Sequence, residues 1–123
     1  MNKIRSFTDL TAWKEGHKLV LQIYSTTKRF PEQEKFGLTN QIQRCAVSIT
    51  SNVAEGFSRR NKKEKTQFFY TALGSLTELQ NQLLIARDLG YIKVEGFKEL
   101  ADQTVVVSKL LNGLIKSSKL LDS

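Results

Sequence analysis

Four times along this chain, apolar side chains return at intervals of three and four residues. That period admits an α-helix and excludes a β-strand, whose faces alternate every second residue. In the first stretch, about residues 9–29, Leu10, Trp13, His17, Val20 and Tyr24 predict one buried stripe. Ser6, Thr8 or Asp9 is placed to cap its start. Pro31 closes it, because proline disfavours helical geometry at the residue before it. His17 lies on the stripe and is expected to be packed and hydrogen-bonded, with no catalytic part. The second stretch, about 33–57, carries Leu38, Ile42, Ala46, Ile49 and Val53 within about 80° of arc, at about 100° per residue. The third, about 62–89, carries Phe69, Ala72, Leu73, Leu76, Leu79, Leu83 and Ala86. Asn61 followed by Glu64 approximates a capping box at its start, and Gly90 is placed to adopt the left-handed conformation after its last turn. The fourth, about 95–121, carries Phe97, Leu100, Ala101, Thr104, Val107, Ser108, Leu111, Leu114 and Ile115. Its Val105–Val107 run has strand character, but the flanks keep the helical spacing.

Four such helices joined by short connections predict an all-α fold, an antiparallel up-down-up-down four-helix bundle spanning residues 1–123 as one domain. The length agrees: 123 residues is one domain's worth, and 40% apolar residues can fill a core. A single proline disfavours a loop-rich all-β domain.

Scarcity excludes several chemistries. One cysteine, Cys45, and one histidine, His17, rule out an intrachain disulfide, a cysteine-based zinc site and a centre with several histidines. No metal and no cofactor is therefore expected. Glu55 and Glu78 could in principle pair as acid and base, yet no nucleophile–base pair, phosphate loop or metal-ligand cluster accompanies them. A di-iron bundle needs Glu-x-x-His, and Lys14 stands three residues before His17. No catalytic residues are assigned, and a protein that is not an enzyme is expected. Cys45, beside Arg44, is read as a small buried hydrophobe. The N-terminus is short and polar, unlike a signal peptide, and no window approaches the roughly 18 unbroken apolar residues of a membrane span. Cytoplasmic residence without membrane attachment is the expectation.

Charge points to a partner. Nineteen Lys and Arg against twelve Asp and Glu leave +7 and a pI near 9.7, a balance that favours association with polyanions. It is uneven: residues 59–65 hold five positive side chains, Arg59, Arg60, Lys62, Lys63 and Lys65, against Glu64 alone. Two readings fit this segment, a phosphate-binding patch and a solvated turn between helices.

The polar faces carry more information than the apolar ones. On the second helix Gln41, Arg44, Ser48, Ser51, Asn52, Glu55 and Arg59 fall about 180° to 280° from Ile42. On the third, Thr71, Ser75, Glu78 and Gln82 form a similar stripe. Small hydrogen-bonding residues in register let helices approach closely, which suits a subunit interface; an ordinary wet face is the alternative. Gly16, Gly74 and Gly113 lie inside helices at about 1 kcal/mol each against alanine, which fits either close backbone approach or tolerated drift.

The stretch Ser48-Ile49-Thr50-Ser51-Asn52-Val53-Ala54-Glu55-Gly56 resembles the S-I-x-S-N-[IV]-A-E-G signature of the four-helix bundle proteins encoded in intervening sequences of 23S ribosomal RNA genes. Phe7-x-Asp9-Leu10-x-x-Trp13, Tyr24, Phe30-Pro31-x-x-Glu34-x-Phe36-Gly37-Leu38-Thr39-x-Gln41, Gly74-Ser75-Leu76-x-Glu78-Leu79 and Leu89-Gly90-Tyr91 follow in the family's order. The resemblance spans nearly the whole chain. It implies an antiparallel four-helix bundle, ring-shaped homopentamers with a basic central opening, and association with RNA. It also implies kinship with an accessory protein of diversity-generating retroelements, which works with a reverse transcriptase and binds nucleic acid. The positions carried over are Ser48, Ser51, Asn52, Glu55 and Gly56, with no catalytic role.

Two functional readings follow. One is a non-enzymatic homo-oligomer that binds RNA or DNA through Arg59, Arg60, Lys62, Lys63 and Lys65, with Arg44, Ser48, Ser51, Asn52, Glu55, Gly56, Ser75 and Glu78 serving assembly. The other is an adaptor whose partner is a protein such as a polymerase or reverse transcriptase.

Overall fold

A computed structural model describes residues 3–121 and contains four helices: α1 (Thr11–Thr27), α2 (Leu38–Ser58), α3 (Lys62–Asp88) and α4 (Val94–Leu121). Short 3-10 turns, Phe7–Asp9 and Glu32–Glu34, precede α1 and α2. No strand occurs among the described residues.

Local chemistry sets the ends. Ser6 Oγ accepts from Thr8 N, and Asp9 Oδ2 accepts from Ser6 N (3.1 Å) and Arg5 N (2.9 Å), a complete capping box. That box closes the 3-10 turn; Leu10 is then extended, so α1 starts at Thr11, two residues later than expected. A larger difference concerns α2, expected from about residue 33. Residues 32–34 form a 3-10 turn, and Gly37 (φ −111°, ψ −115°) breaks helical geometry before Leu38. Glu34 explains the late start: its Oε1 accepts from Leu38 N (3.2 Å), in place of a cap, while its Oε2 accepts from the Tyr91 hydroxyl (2.8 Å). At α3, Asn61 Oδ1 accepts from Glu64 N, the asparagine half of the expected box. Gly90 takes the left-handed conformation (φ 81°), and Tyr91 N donates back to Ala86 O, a Schellman ending for α3.

Each helix packs against the next in sequence, and α4 returns to α1. The pairs fix opposite senses. Along α2 and α3, Cys45 meets Ser75 while Gly56 meets Phe69. Along α3 and α4, Gln80 bonds Thr104 while Arg87 lies over the Phe97 ring. Gln43 near the start of α2 bonds Thr27 at the end of α1.

The core is built on the stripes read for α2, α3 and α4: Ile42, Ala46, Ile49 and Val53; Phe69, Ala72, Leu76, Leu79, Leu83 and Ala86; Leu100, Val107, Leu111 and Ile115 are all buried. On α1 the stripe is rotated by one position. Ala12, Gly16, Leu19, Ile23 and Thr27 are buried, whereas Trp13 and Val20 are half-buried and His17 and Tyr24 are exposed. The cause is close approach: a Cβ on Gly16 would stand 3.1 Å from Thr50 Cγ2 of α2. The smallest residues of α1 therefore face the neighbour, and Leu10, Trp13 and Val20 cover the seam from the flank. His17 is correspondingly not packed inside; its ring stacks on Trp13 at 4.7 Å. The close-approach reading fails at Gly74 and Gly113, which have open space where a Cβ would go.

Candidate functional site

The two polar stripes converge on the seam between α2 and α3. Ser48 Oγ and Ser75 Oγ are 2.9 Å apart across it. Asn52 Nδ2 donates to Ser48 O (2.8 Å) and Ser48 Oγ (3.1 Å), fixing that hydroxyl from one turn away. The Cys45 thiol donates to Ser75 O (3.0 Å). Burial, helped by the nearby Glu78 carboxylate, pushes this thiol up to about 12, so it is a structural donor with no thiolate character near neutral pH.

Beside this seam opens a groove of about 420 Å³ lined by Gln41, Arg44, Ser48, Ser75, Glu78 and Gln82, with Asn40 and Cys45. Two features mark it. Arg44 and Glu78, both exposed to solvent, line the same groove, and neither has an ion-pair partner among the described residues. Gln82 is only 5% exposed; its Nε2 reaches Glu78 Oε1 at 3.4 Å, while its Oε1 has no hydrogen-bond partner. A buried carbonyl oxygen without a partner costs about 1–3 kcal/mol, so the groove is left polar and under-satisfied.

Of the residues singled out in sequence, Arg44, Ser48, Ser75 and Glu78 meet in this groove, and Asn52 supports it. Ser51 and Glu55 lie elsewhere on the exposed side of α2, and Glu55 Oε2 faces Arg59 at 3.7 Å. Gly56 is buried under Phe69 and plays a packing part. Cys45 and Asn40 are groove residues that the polar stripe did not include. At about 300° and about 160° from Ile42, they border the polar arc on either side.

The second candidate surface is the turn joining α2 to α3. Arg60 and Lys63 are exposed, and Lys62 is half-buried. The Arg59 guanidinium lies 4.7 Å from the centre of the Phe68 ring. Lys65 is committed inward: its Nζ donates to Phe57 O (2.6 Å) and Gly56 O (3.3 Å) and sits 5.3 Å from the Phe57 ring centre. It thereby satisfies carbonyls at the end of α2, and burial draws its pKa below the usual lysine value. The five cations thus share one turn, with Arg60 and Lys63 turned outward and Lys65 anchoring the turn. The amino terminus of α3 adds its positive dipole end at the same place.

Among the described residues no three His, Cys, Asp or Glu side chains cluster closely enough to hold a metal ion. No helix there is long and apolar enough to cross a membrane.

The model of the 23S rRNA-intervening sequence protein family matches residues 8–113. A crystal structure of a protein of unknown function from the S23 ribosomal protein family of Bacteroides thetaiotaomicron has a similar fold. The TM-score is 0.78 at 22% sequence identity, over 85% of this chain and 95% of that one. No curated protein matches.

Proposed function

We propose, starting from the fact that the chain belongs to the 23S rRNA-intervening sequence protein family, that it is a non-enzymatic helical-bundle protein which assembles with copies of itself and binds RNA by its phosphates. The observation that carries this reading is the α2–α3 turn, where exposed Arg60 and Lys63 stand beside Arg59 at the amino terminus of α3. Cations at a helix amino terminus favour phosphate oxygens through charge and free N–H donors together. No base-reading motif accompanies them, so binding is expected to be sequence-tolerant.

Assembly is supported by the α2–α3 groove. Among the described residues, the Gln82 carbonyl oxygen is buried without a partner, and exposed Arg44 and Glu78 line the same groove without an ion pair. A second copy of the chain is the proposed partner, and five copies per ring is the proposed number. Each subunit would then repeat the basic turn, and weak phosphate contacts would add through multivalency.

The test is a titration of a structured RNA at low and moderate salt. Affinity should fall steeply with salt, because releasing counterions into a saltier solution gains less entropy. Salt-independent affinity, or no binding at low salt, would overturn the reading. Native mass spectrometry at a multiple of the 14.0 kDa chain mass checks assembly.

A further inference from the structure

Of the α1 stripe expected in the core, His17 and Tyr24 lie at the surface and Trp13 is half-buried, which leaves an aromatic row flanked by lysines. His17 is exposed, and its ring lies parallel to Trp13, with centroids 4.7 Å apart and an interplanar angle of 14°. Phe7 packs edge-on against Trp13 (5.4 Å, 70°) and helps to hold the indole in place. Tyr24, 42% exposed, stands two turns further along the same line. Lys14, Lys18 and Lys28 are exposed beside this row. The one carboxylate of the helix, Glu15, is turned to α4, where Gln103 Nε2 donates to its Oε1 (3.1 Å) and to its backbone oxygen (2.9 Å). Within α1 the row meets no other carboxylate, although Asp9, in the turn before the helix, lies close enough to Lys14 to feel its charge.

Its position relates it to the basic turn. Gly16 of α1 touches Thr50 of α2, and Arg59 lies nine residues further along. At 1.5 Å per residue, His17 is roughly 13 Å along the bundle from the turn.

We propose that the Trp13–His17 stack is a platform for an unpaired nucleobase, so that the nucleic acid held at the α2–α3 turn continues onto α1 as a single strand. The proposal rests on the reading that this protein binds nucleic acid. A base has a π-face whatever its identity, so it can extend the parallel stack from the exposed side of His17, while Lys14 and Lys18 face the phosphates on either side. A duplex hides those faces and would gain nothing from the platform.

Trp13 is the only tryptophan and reports directly on the site. An oligouridylate of about 12 nucleotides, within the usual reach of single-strand sites, is titrated against the full chain while Trp13 emission is followed. The deoxythymidylate of the same length, run in parallel, distinguishes RNA from DNA as the source of the base. Wild type should bind with a change in emission. His17→Ala should bind the oligouridylate about tenfold more weakly, with affinity for a duplex RNA of equal length unchanged. His17→Phe should keep the single-strand affinity. His17 is exposed, so both variants should retain helicity. Unchanged oligouridylate affinity in His17→Ala, while Arg60→Glu with Lys63→Glu weakens binding, would overturn the platform and leave the basic turn standing. Equal loss for single strand and duplex would also overturn it. No binding by wild type at low salt would overturn both readings.

Discussion

Gly56 lies so close to Phe69 that a Cβ at that position would come within 2.7 Å of the ring. Phe69 is buried at 3% exposure and has little room to yield, and Phe68 Cβ would be 3.0 Å away. Gly56→Ala should therefore overpack the α2–α3 seam at about 1–3 kcal/mol, against about 1 kcal/mol gained in helix propensity. A net loss of up to about 2 kcal/mol, centred near 1 kcal/mol, is expected, read as a fall of roughly 4 °C in Tm. A Tm equal to wild type would show that the seam can open.

Gly74 makes the opposite case on the same helix pair. It is exposed inside α3, and nothing lies within 4 Å of where its Cβ would be. Gly74→Ala should stabilise the isolated chain by about 0.5–1 kcal/mol, in urea unfolding at low protein concentration. A loss of stability under those conditions would mean that the glycine is needed within the chain.

The capping box predicts a pH dependence. Two backbone N–H groups, of Arg5 and Ser6, hold the Asp9 carboxyl below its ordinary value of 3.8. A carboxylate with a depressed folded pKa binds its proton more readily in the unfolded chain. Its stabilisation is present above the unfolded pKa and is lost as pH falls through the folded one. Wild type should thus be more stable than Asp9→Asn at neutral pH, and the gap should close on acidification below that ordinary value. A gap that persists unchanged in acid would assign the effect to packing.

Most of the bundle was legible because Leu, Ile and Val dominate the buried faces of α2, α3 and α4, and size and hydrophobicity point the same way there. On α1 they diverge. Trp13 and Tyr24 outweigh Ala12, Gly16 and Thr27 in any hydrophobic reading, yet the small residues face α2 because Gly16 must clear Thr50. Closeness of backbones is a tertiary fact with little local trace. The start of α2 was misplaced for a related reason: the Glu34 carboxylate that caps Leu38 is also held by Tyr91, far along the chain. The groove was half legible. Ser48, Arg44, Ser75 and Glu78 share polar arcs on their own helices, but the register that sets Ser48 opposite Ser75 is fixed by the packing of Gly56 on Phe69 and of Cys45 on Ser75.

The turn predicts a salt signature. If Arg60 and Lys63 each neutralise a phosphate, replacing both with Glu should lower the slope of log affinity against log salt by roughly 1.4–1.8, besides weakening binding at low salt. Lys65→Met should act differently. It removes the donor to Phe57 O and Gly56 O, so it should lower stability by about 1 kcal/mol before it alters the slope. Filter binding across a salt series separates the two. An unchanged slope in the double variant would place the phosphates elsewhere.

The groove predicts where assembly breaks. Among the described residues, exposed Arg44 and Glu78 line one groove without an ion pair, and the Gln82 carbonyl oxygen is buried without a donor. A second copy that docks there would supply an acid to Arg44 and a donor to Gln82, and both contacts would be shielded from water. Arg44→Glu would place two negative charges in that cavity and leave the incoming acid opposite a like charge. Breaking a buried charge contact at an interface costs about 2–5 kcal/mol, enough to weaken association by tenfold or more. Light scattering over a dilution series should show a lower mass for Arg44→Glu than for wild type, with unchanged helicity. Lys109→Glu, an equal charge reversal on the exposed side of α4, should keep the wild-type mass. If Arg44→Glu keeps that mass too, the groove does not serve assembly, and its unpartnered polar groups answer to a smaller ligand than a second copy of the chain.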